Sequence, residues 1–247
     1  MPAVGLLVVG LVACATGPDS LPSDPATLVL RVDEQHSGLR PWERGPIPKF
    51  SLYGGGRVVV PGEGTDALRA AREYRLAADD YRELVADAYA AGLDRARDHP
   101  YDEQTDASLL RITLDTPNGV QTTRVTAPEA GGSGDRGAAL AFARSLPAPP
   151  ESATGYQPTS LAVLATGGVG QDAPAEPWPS GPLERGTSTG EGLCTVVSGD
   201  DLAVVLRLAQ GRRQEDSRWT SGGSTFVVSF RPLLPDERTC EDLDRRV

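Results

Sequence analysis

Two short glycine motifs in the second half of the chain are the first places to look for chemistry. Residues 168–173 read Gly-Val-Gly-Gln-Asp-Ala, which matches the GxGxxA pattern that binds dinucleotides. That chemistry requires a helix whose first backbone N–H groups face the pyrophosphate. Pro174, Pro177 and Pro179 follow at once, and prolines so close together do not allow such a helix. The sequence therefore predicts a loop here and no cofactor site.

The second motif, at residues 186–190, reads Gly-Thr-Ser-Thr-Gly and matches the GxSxG pattern of a hydrolase nucleophile. In α/β hydrolases the serine lies between a strand and a helix, and the histidine follows it in the chain. Here both histidines, His36 and His99, precede Ser188. The usual order is therefore excluded, a triad with an earlier histidine stays open, and we assign no catalytic residue.

An acidic loop around His99 has side chains that could bind a cation such as Ca²⁺. The candidate ligands are Asp98, His99, Asp102, Glu103 and Asp106. Their spacing lacks the alternating acidic positions and central glycine of an EF-hand. A solvated loop is the simpler interpretation, so the sequence predicts no metal site.

Cys14 is the residue with the clearest chemical context. Residues 3–13 form an unbroken apolar run that is too short to span a bilayer but fits the apolar region of a signal peptide. The run ends in Leu11-Val12-Ala13-Cys14, which resembles the lipobox of bacterial lipoproteins. We expect cleavage before Cys14 and lipid attachment to its thiol, with two acyl chains sufficient for stable membrane anchoring. The alternatives are an ordinary signal peptide or a buried strand with a chance cysteine, and no Lys or Arg precedes the run.

Once Cys14 is assigned to lipid, two cysteines are left, Cys194 and Cys240. In an exported protein an even number of remaining cysteines indicates a disulfide. Two free thiols or a metal pair are the alternatives, but neither histidine is near either cysteine in the sequence.

The charge of the chain excludes one class of partner. With 34 acidic and 24 basic residues the net charge is −10, whereas a nucleic-acid binder needs a basic surface to neutralise phosphates. Direct adsorption to anionic lipid is disfavoured for the same reason. We expect the membrane to be contacted through the lipid on Cys14.

The pattern of apolar residues predicts alternating strands and helices, with an α+β fold as the result. The predicted strands are residues 27–33, 50–53, 57–60, 109–114, 120–126, 161–165, 193–197 and 225–230. The predicted helices are residues 79–92, 135–146 and one that begins at Ser198 and stops at Gly211. Asp79 is expected to cap the first helix, and Ser198 with Asp201 to cap the last. Gly54-Gly55-Gly56 and Asn118-Gly119 are expected to be hairpin turns.

These elements group into two small domains of antiparallel strands with packed helices, the second of which carries the disulfide. The expected boundaries are a signal peptide at 1–13, the lipidated cysteine and a flexible tether at 14–26, an N-terminal domain at 27–146, a linker or extended connection at 147–158 and a C-terminal domain at 159–247.

Two further stretches resemble a family of uncharacterised actinobacterial exported lipoproteins. Residues 47–58, Ile-Pro-Lys-Phe-Ser-Leu-Tyr-Gly-Gly-Gly-Arg-Val, are similar to the family's P-x-F-x-L-Y-G-x-G-R-V stretch after an early L-V-L-R-V strand. Residues 231–237 and Cys240 are similar to its C-terminal signature. The family turn usually reads Gly-Asp-Gly where this chain has three glycines. The likeness covers most of the mature chain and implies an exported lipoprotein, without an activity to carry over.

The sequence therefore favours a lipid-anchored protein on the outer face of the cell membrane that binds an envelope protein or glycan. Two alternatives stay open: a surface-anchored hydrolase that uses carboxylates or His99, and a structural part of a larger envelope complex.

Overall fold

A computed structural model describes residues 20–35, 45–64, 66–101, 107–167, 174–189 and 192–244. Its first sheet has eight strands in the order β5-β7-β6-β1-β2-β3-β4-β8. Neighbouring strands are antiparallel except β5 and β7, which run parallel. The strands are β1 (Leu28–Gln35), β2 (Phe50–Tyr53), β3 (Arg57–Pro61), β4 (Ala71–Arg75), β5 (Arg97–His99), β6 (Leu109–Thr116), β7 (Gly119–Thr126) and β8 (Thr154–Gly155).

The two predicted glycine turns are both present in this sheet. Gly54–Gly56 forms one turn of 3₁₀-helix between β2 and β3, with Gly55 at φ 65°. A Cβ atom on Gly54 would lie 2.2 Å from the backbone oxygen of Asp24, so this glycine permits a close backbone approach. Gly119, at φ 96°, closes the turn from β6 to β7.

Helices α1 (Ala78–Ala90) and α2 (Gly134–Ser145) cover one face of the first sheet. Leu84 and Val85 of α1 and Leu140 and Phe142 of α2 pack into one core with alternate strand residues such as Ile112. The predicted cap at Asp79 is wrong, because Ala77 occupies the cap position and makes no side-chain bond there. Asp79 instead lies in the first turn, where a carboxylate stabilises the helix dipole.

The second sheet has six strands in the order β10-β13-β14-β9-β12-β11, with only β10 and β13 parallel. The elements are β9 (Ser160–Gly167), β10 (Glu176–Pro177), β11 (Thr187–Thr189), β12 (Gly192–Ser198), α3 (Asp200–Ala209), β13 (Arg218–Ser221), β14 (Ser224–Pro232) and α4 (Glu241–Asp244). Val205 and Ala209 of α3 pack against the sheet core around Trp219 and Phe230. The predicted Ser198 cap is wrong: Gly199, at φ 63°, precedes α3, and no side chain caps it.

The disulfide between Cys194 and Cys240 is present, with a Cα–Cα distance of 5.9 Å. It joins β12 to the segment after β14 and confirms the predicted pairing. The α+β class with one disulfide in the C-terminal part is likewise confirmed. The division into two domains stays a prediction.

The described part of the predicted tether, residues 20–26, is docked on the first sheet. Gly55 N donates to Pro22 O at 2.9 Å, and the Tyr81 hydroxyl donates to the same oxygen at 3.1 Å. Leu21 packs against the core beneath α1. Residues 20–26 therefore contact the folded part, whereas residues 14–19 of the predicted tether lie outside the described residues.

Residues 147–158 form an extended connection along the edge of the first sheet. Arg72 donates to Ala153 O at 3.1 Å, and Tyr74 donates to Pro147 O at 3.0 Å. Within this stretch β8 pairs with β4. The connection is held by the sheet over much of its length, because both backbone and side-chain donors engage it.

Candidate functional site

The face of the first sheet opposite α1 and α2 contacts the segment that follows β14. Arg31 donates to both carboxylate oxygens of Asp236, at 2.7 and 2.9 Å. Tyr53 donates its hydroxyl to Asp236 at 2.8 Å, and Ser51 accepts from Arg31 Nε at 3.2 Å. Burial opposes the charge of Arg31, but Tyr53 and Asp236 outweigh this effect and raise its pKa.

A second ion pair, Arg231–Glu237, lies directly behind the first. Both side chains are buried, with exposures of 0% and 1%. Arg231 also donates to Pro232 O at 2.8 Å, and Leu234 N donates to the Glu237 carboxylate at 2.8 Å. Burial lowers the pKa of Arg231, and the positive charge of the nearby Arg31 lowers it further. Because every buried charge needs a partner here, the two pairs hold residues 233–237 in place on the sheet.

A cleft of about 350 Å³ opens beside these ion pairs, between the sheet face and the C-terminal segment. Its floor is formed by polar side chains of β1, β6 and β7, and Asp236 and Asp242 belong to its wall. Val120, which is 65% exposed, lies at its edge. This volume is in the range of small-molecule sites.

Strand register places the charges of the floor in one row with Asp98 of β5, which lies beyond the cleft. Asp33 lies opposite Arg111, Arg111 opposite Arg124, and Arg124 opposite Asp98. The row therefore reads negative, positive, positive, negative across four strands. In antiparallel pairs, side chains that face each other have Cβ atoms about 5 Å apart, so the two arginines of β6 and β7 are immediate neighbours.

The two arginines differ in exposure. Arg111 is 7% exposed, and burial, with Arg124 as a further cause, lowers its pKa although Asp33 acts in the opposite direction. Arg124 has a half-exposed side chain, with its Nη1 3.5 Å from Asp98 Oδ1. In the next row Thr113 and Thr122 lie opposite each other and also line the cleft. The floor thus offers guanidinium and hydroxyl donors side by side.

The residues predicted from sequence lie elsewhere or outside the described ranges. Cys14, His36 and residues 168–173 belong to the part of the chain that the structure does not describe. Thr187–Thr189 of the GxSxG motif forms β11, paired with β12, and Ser188 is exposed on that strand. A nucleophile elbow between a strand and a helix is therefore not what this segment forms.

His99 lies on β5 with its Nε2 buried and without a hydrogen-bond partner among the described residues. Burial first, followed by Arg136 and Arg97, lowers its pKa. A catalytic imidazole acts through a hydrogen bond to its nucleophile, and Nε2 has no such bond with the residues that the structure describes. Asp102, Glu103 and Asp106 lie outside the described ranges, and within those ranges no group of three or more His, Cys, Asp and Glu could hold a metal ion.

None of the cleft residues was predicted as a site from the sequence, although a signal for them exists. Arg31 and Asp33 alternate with buried residues in β1, and Arg111 and Arg124 do so in β6 and β7. Charges at every second position of otherwise apolar strands mark one polar face of a sheet. That the three strands are neighbours follows only from the sheet order.

Comparisons of the chain with protein-family models, with curated proteins and with solved structures find no match. The resemblance to exported lipoproteins therefore stays a prediction. Within the described ranges, no helix has both the length and the apolar character needed to cross a bilayer.

Proposed function

We propose that this chain is an exported lipoprotein, anchored through lipid on Cys14, whose folded part binds an envelope ligand without catalysing a reaction. The ligand site is the cleft between the first sheet and the C-terminal segment. Its ligand is an envelope protein, glycan or small molecule that reaches the outer face of the membrane.

The observation that carries the proposal is the position of the disulfide. Cys240 lies between Asp236 and Asp242, two residues that line the cleft. The bond ties this segment to β12 of the second sheet. Because disulfides persist in oxidising compartments, the wall of the cleft is best maintained outside the cytoplasm, where a lipobox would deliver the chain.

The architecture of the cleft also supports binding rather than catalysis. Its charged walls are held by hydrogen bonds that leave little freedom, as the two contacts of Arg31 with Asp236 illustrate. A rigid polar site lowers the entropic cost of ordering on binding. Neither His99 nor Ser188 lines the cleft, which weighs against the hydrolase alternative.

The anchor is tested by replacing the thiol. Cys14→Ser should abolish fatty-acid labelling and release the chain from membranes, because the lipid is attached through a thioether. Ala15→Ser is the control and should remain labelled and membrane-bound. A Cys14→Ser chain that stays in the membrane fraction, together with an unlabelled wild type, would refute the anchor.

The ligand site is tested by photo-cross-linking in intact cells. A photoreactive amino acid in place of Val120 should capture the ligand, since this residue lies at the edge of the cleft. The same replacement of Val204 is the matched control: it is also an exposed valine, at 41%, but lies on α3 and does not line the cleft. Equal adducts at both positions, or none at either, would count against the cleft.

A further inference from the structure

We infer that two copies of this chain associate through the outer face of α3, with the two helices antiparallel and their Val204 side chains in contact. The occupant of this face is therefore a second copy of the same chain. The inference depends neither on the cleft as a ligand site nor on the lipid anchor.

The helix α3 leaves more of its apolar side chains accessible than α1 and α2 do. In those two helices every leucine and phenylalanine is buried, namely Leu84, Leu140 and Phe142. In α3 only Val205 and Ala209 are buried. The other large apolar side chains of α3 are half-buried or, for the last one, 41% exposed: Leu202, Leu206, Leu208 and Val204. Covering such a face removes apolar area from water and favours association.

Val204 lies at the centre of the outer face of α3. Residues three and four positions apart lie on the same face of a helix. Asp200 and Asp201 precede Val204 at these spacings, and Arg207 and Leu208 follow it at the same spacings. The face is therefore acidic on the N-terminal side of Val204 and basic and apolar on its C-terminal side.

This order of charges fits an antiparallel second copy. When two α3 helices meet at Val204, Asp200 and Asp201 of one copy lie level with Arg207 of the partner subunit. The levels match because both groups are about 5 Å along the axis from Val204, at a rise of 1.5 Å per residue. Two-fold symmetry repeats the contact, so one interface contains it twice. A parallel pair would instead place the carboxylates beside each other.

The charged groups of this face are exposed and are not engaged by other side chains. Arg207 donates to Ala203 O of its own helix at 3.2 Å. No ion pair within the described ranges includes Asp200, Asp201 or Arg207. The two carboxylates lie in the first turn, where they stabilise the helix dipole. They stay exposed there and can face a second copy.

A lipid surface fits this face less well than a second copy does. Helices that lie in the membrane interface typically carry Lys and Arg along their polar side. The polar side of α3 has two aspartates and one arginine, and the net charge of the chain is −10. Anionic headgroups would therefore repel it.

The size of the contact predicts a weak association. A helix of 10 residues is about 15 Å long, so a single helix pair buries less than the roughly 1,600 Å² of a standard interface. We therefore expect a dimer whose dissociation constant lies between about 1 μM and 1 mM.

The first experiment is thiol cross-linking of the whole chain, purified in a neutral detergent, in a Cys14→Ser background. Val204→Cys then supplies a single free thiol, because Cys194 and Cys240 are bonded to each other. A short bis-maleimide should link two chains, with a yield that rises with chain concentration. Glu83→Cys is the matched control, since it places a thiol at an exposed position in the middle of α1. Equal yields for the two variants, or no dimer for Val204→Cys, would overturn the inference.

The second experiment reverses the charges and measures the mass by sedimentation equilibrium, with Val204 unchanged. Arg207→Asp should weaken association about tenfold, because both symmetry-related contacts turn from attraction to repulsion. Arg144→Asp makes the same change in the last turn of α2 and should associate as the wild type does. Asp201→Arg together with Arg207→Asp should restore the dimer. A loss without this rescue, or no loss in Arg207→Asp, would contradict the antiparallel pairing.

Photo-cross-linking in intact cells then distinguishes the possible occupants. A photoreactive amino acid in place of Val204 should give an adduct of twice the mass of the chain. Adducts to lipid alone, or to a different protein alone, would overturn the second copy as the occupant. A ligand adduct at Val120 has a different mass, so Val204 still serves as the control for the cleft, and the two proposals can fail separately.

Discussion

At the scale of single residues, the chain uses arginine–glutamate pairs in two very different environments. Arg231 and Glu237 are fully buried, whereas Arg57 and Glu73 are each about a quarter exposed. A buried charge that loses its partner cannot be compensated by water, while a surface charge can. The two pairs should therefore contribute very differently to stability although their chemistry is the same.

Glu237→Ala should lower the free energy of unfolding by about 3–5 kcal/mol, because it leaves Arg231 buried without its carboxylate. Glu73→Ala should cost about 1 kcal/mol or less, since Arg57 can turn to solvent. Urea unfolding of both variants gives the comparison. Similar losses for the two variants would show that the buried pair has no special role.

At the level of helices and strands, segments with a clear apolar pattern or a hairpin turn were predicted, and several strands with neither were missed. The strand β14 has a run of buried residues and was identified, as were β1 and β6. By contrast β4 (Ala-Arg-Glu-Tyr-Arg) and β13 (Arg-Trp-Thr-Ser) carry mostly polar residues. They are strands because neighbouring strands supply hydrogen-bond partners, which is a property of the sheet and not of the segment.

The disulfide is the element-scale feature that most directly affects the cleft. Cys194→Ala with Cys240→Ala, made in a Cys14→Ser background, removes a bond that spans 46 residues in the sequence. Loop-closure entropy predicts a loss of about 4 kcal/mol. Hydrogen exchange in residues 233–243 should be faster than in the Cys14→Ser parent. The β6–β7 hairpin should exchange at the same rate in both chains.

A control for this prediction is the Cys14→Ser parent, which retains the bond. The single variant Cys194→Ala should leave Cys240 reactive toward thiol reagents after mild unfolding. Unchanged stability and exchange in the double variant would mean that the ion pairs alone hold the C-terminal segment.

At the scale of the whole molecule, the two sheets are joined by more than the extended connection. Arg31 of β1 pairs with Asp236, and the Tyr156 hydroxyl donates to Leu233 O at 2.9 Å. Leu68, from the loop before β4, forms a bridge with Phe230 of β14. Tyr53 and Leu234 share a small apolar cluster at the same junction. These contacts couple the sheets energetically.

The coupling predicts that both sheets unfold in one cooperative transition. Tryptophan fluorescence reports on the second sheet through Trp219, which is buried there. Hydrogen exchange of β1 and β6 reports on the first sheet. The two probes should give the same denaturant midpoint. Asp236→Ala should separate the midpoints, because it removes the carboxylate that links Arg31 to the C-terminal segment. Separate midpoints in the wild type would favour two independent domains instead.

Features that depend on local pattern and on residue chemistry could be read from the amino-acid order. Hairpin turns at glycine, the apolar stripes of α1 and α3, and the pairing of Cys194 with Cys240 belong here, since each follows from neighbouring residues or from simple counting. The tertiary structure alone decided that Arg111, Arg124 and Asp236 meet at one cleft. Their proximity depends on strand order and on contacts between residues far apart in the chain, and such long-range contacts leave no periodic mark in the sequence.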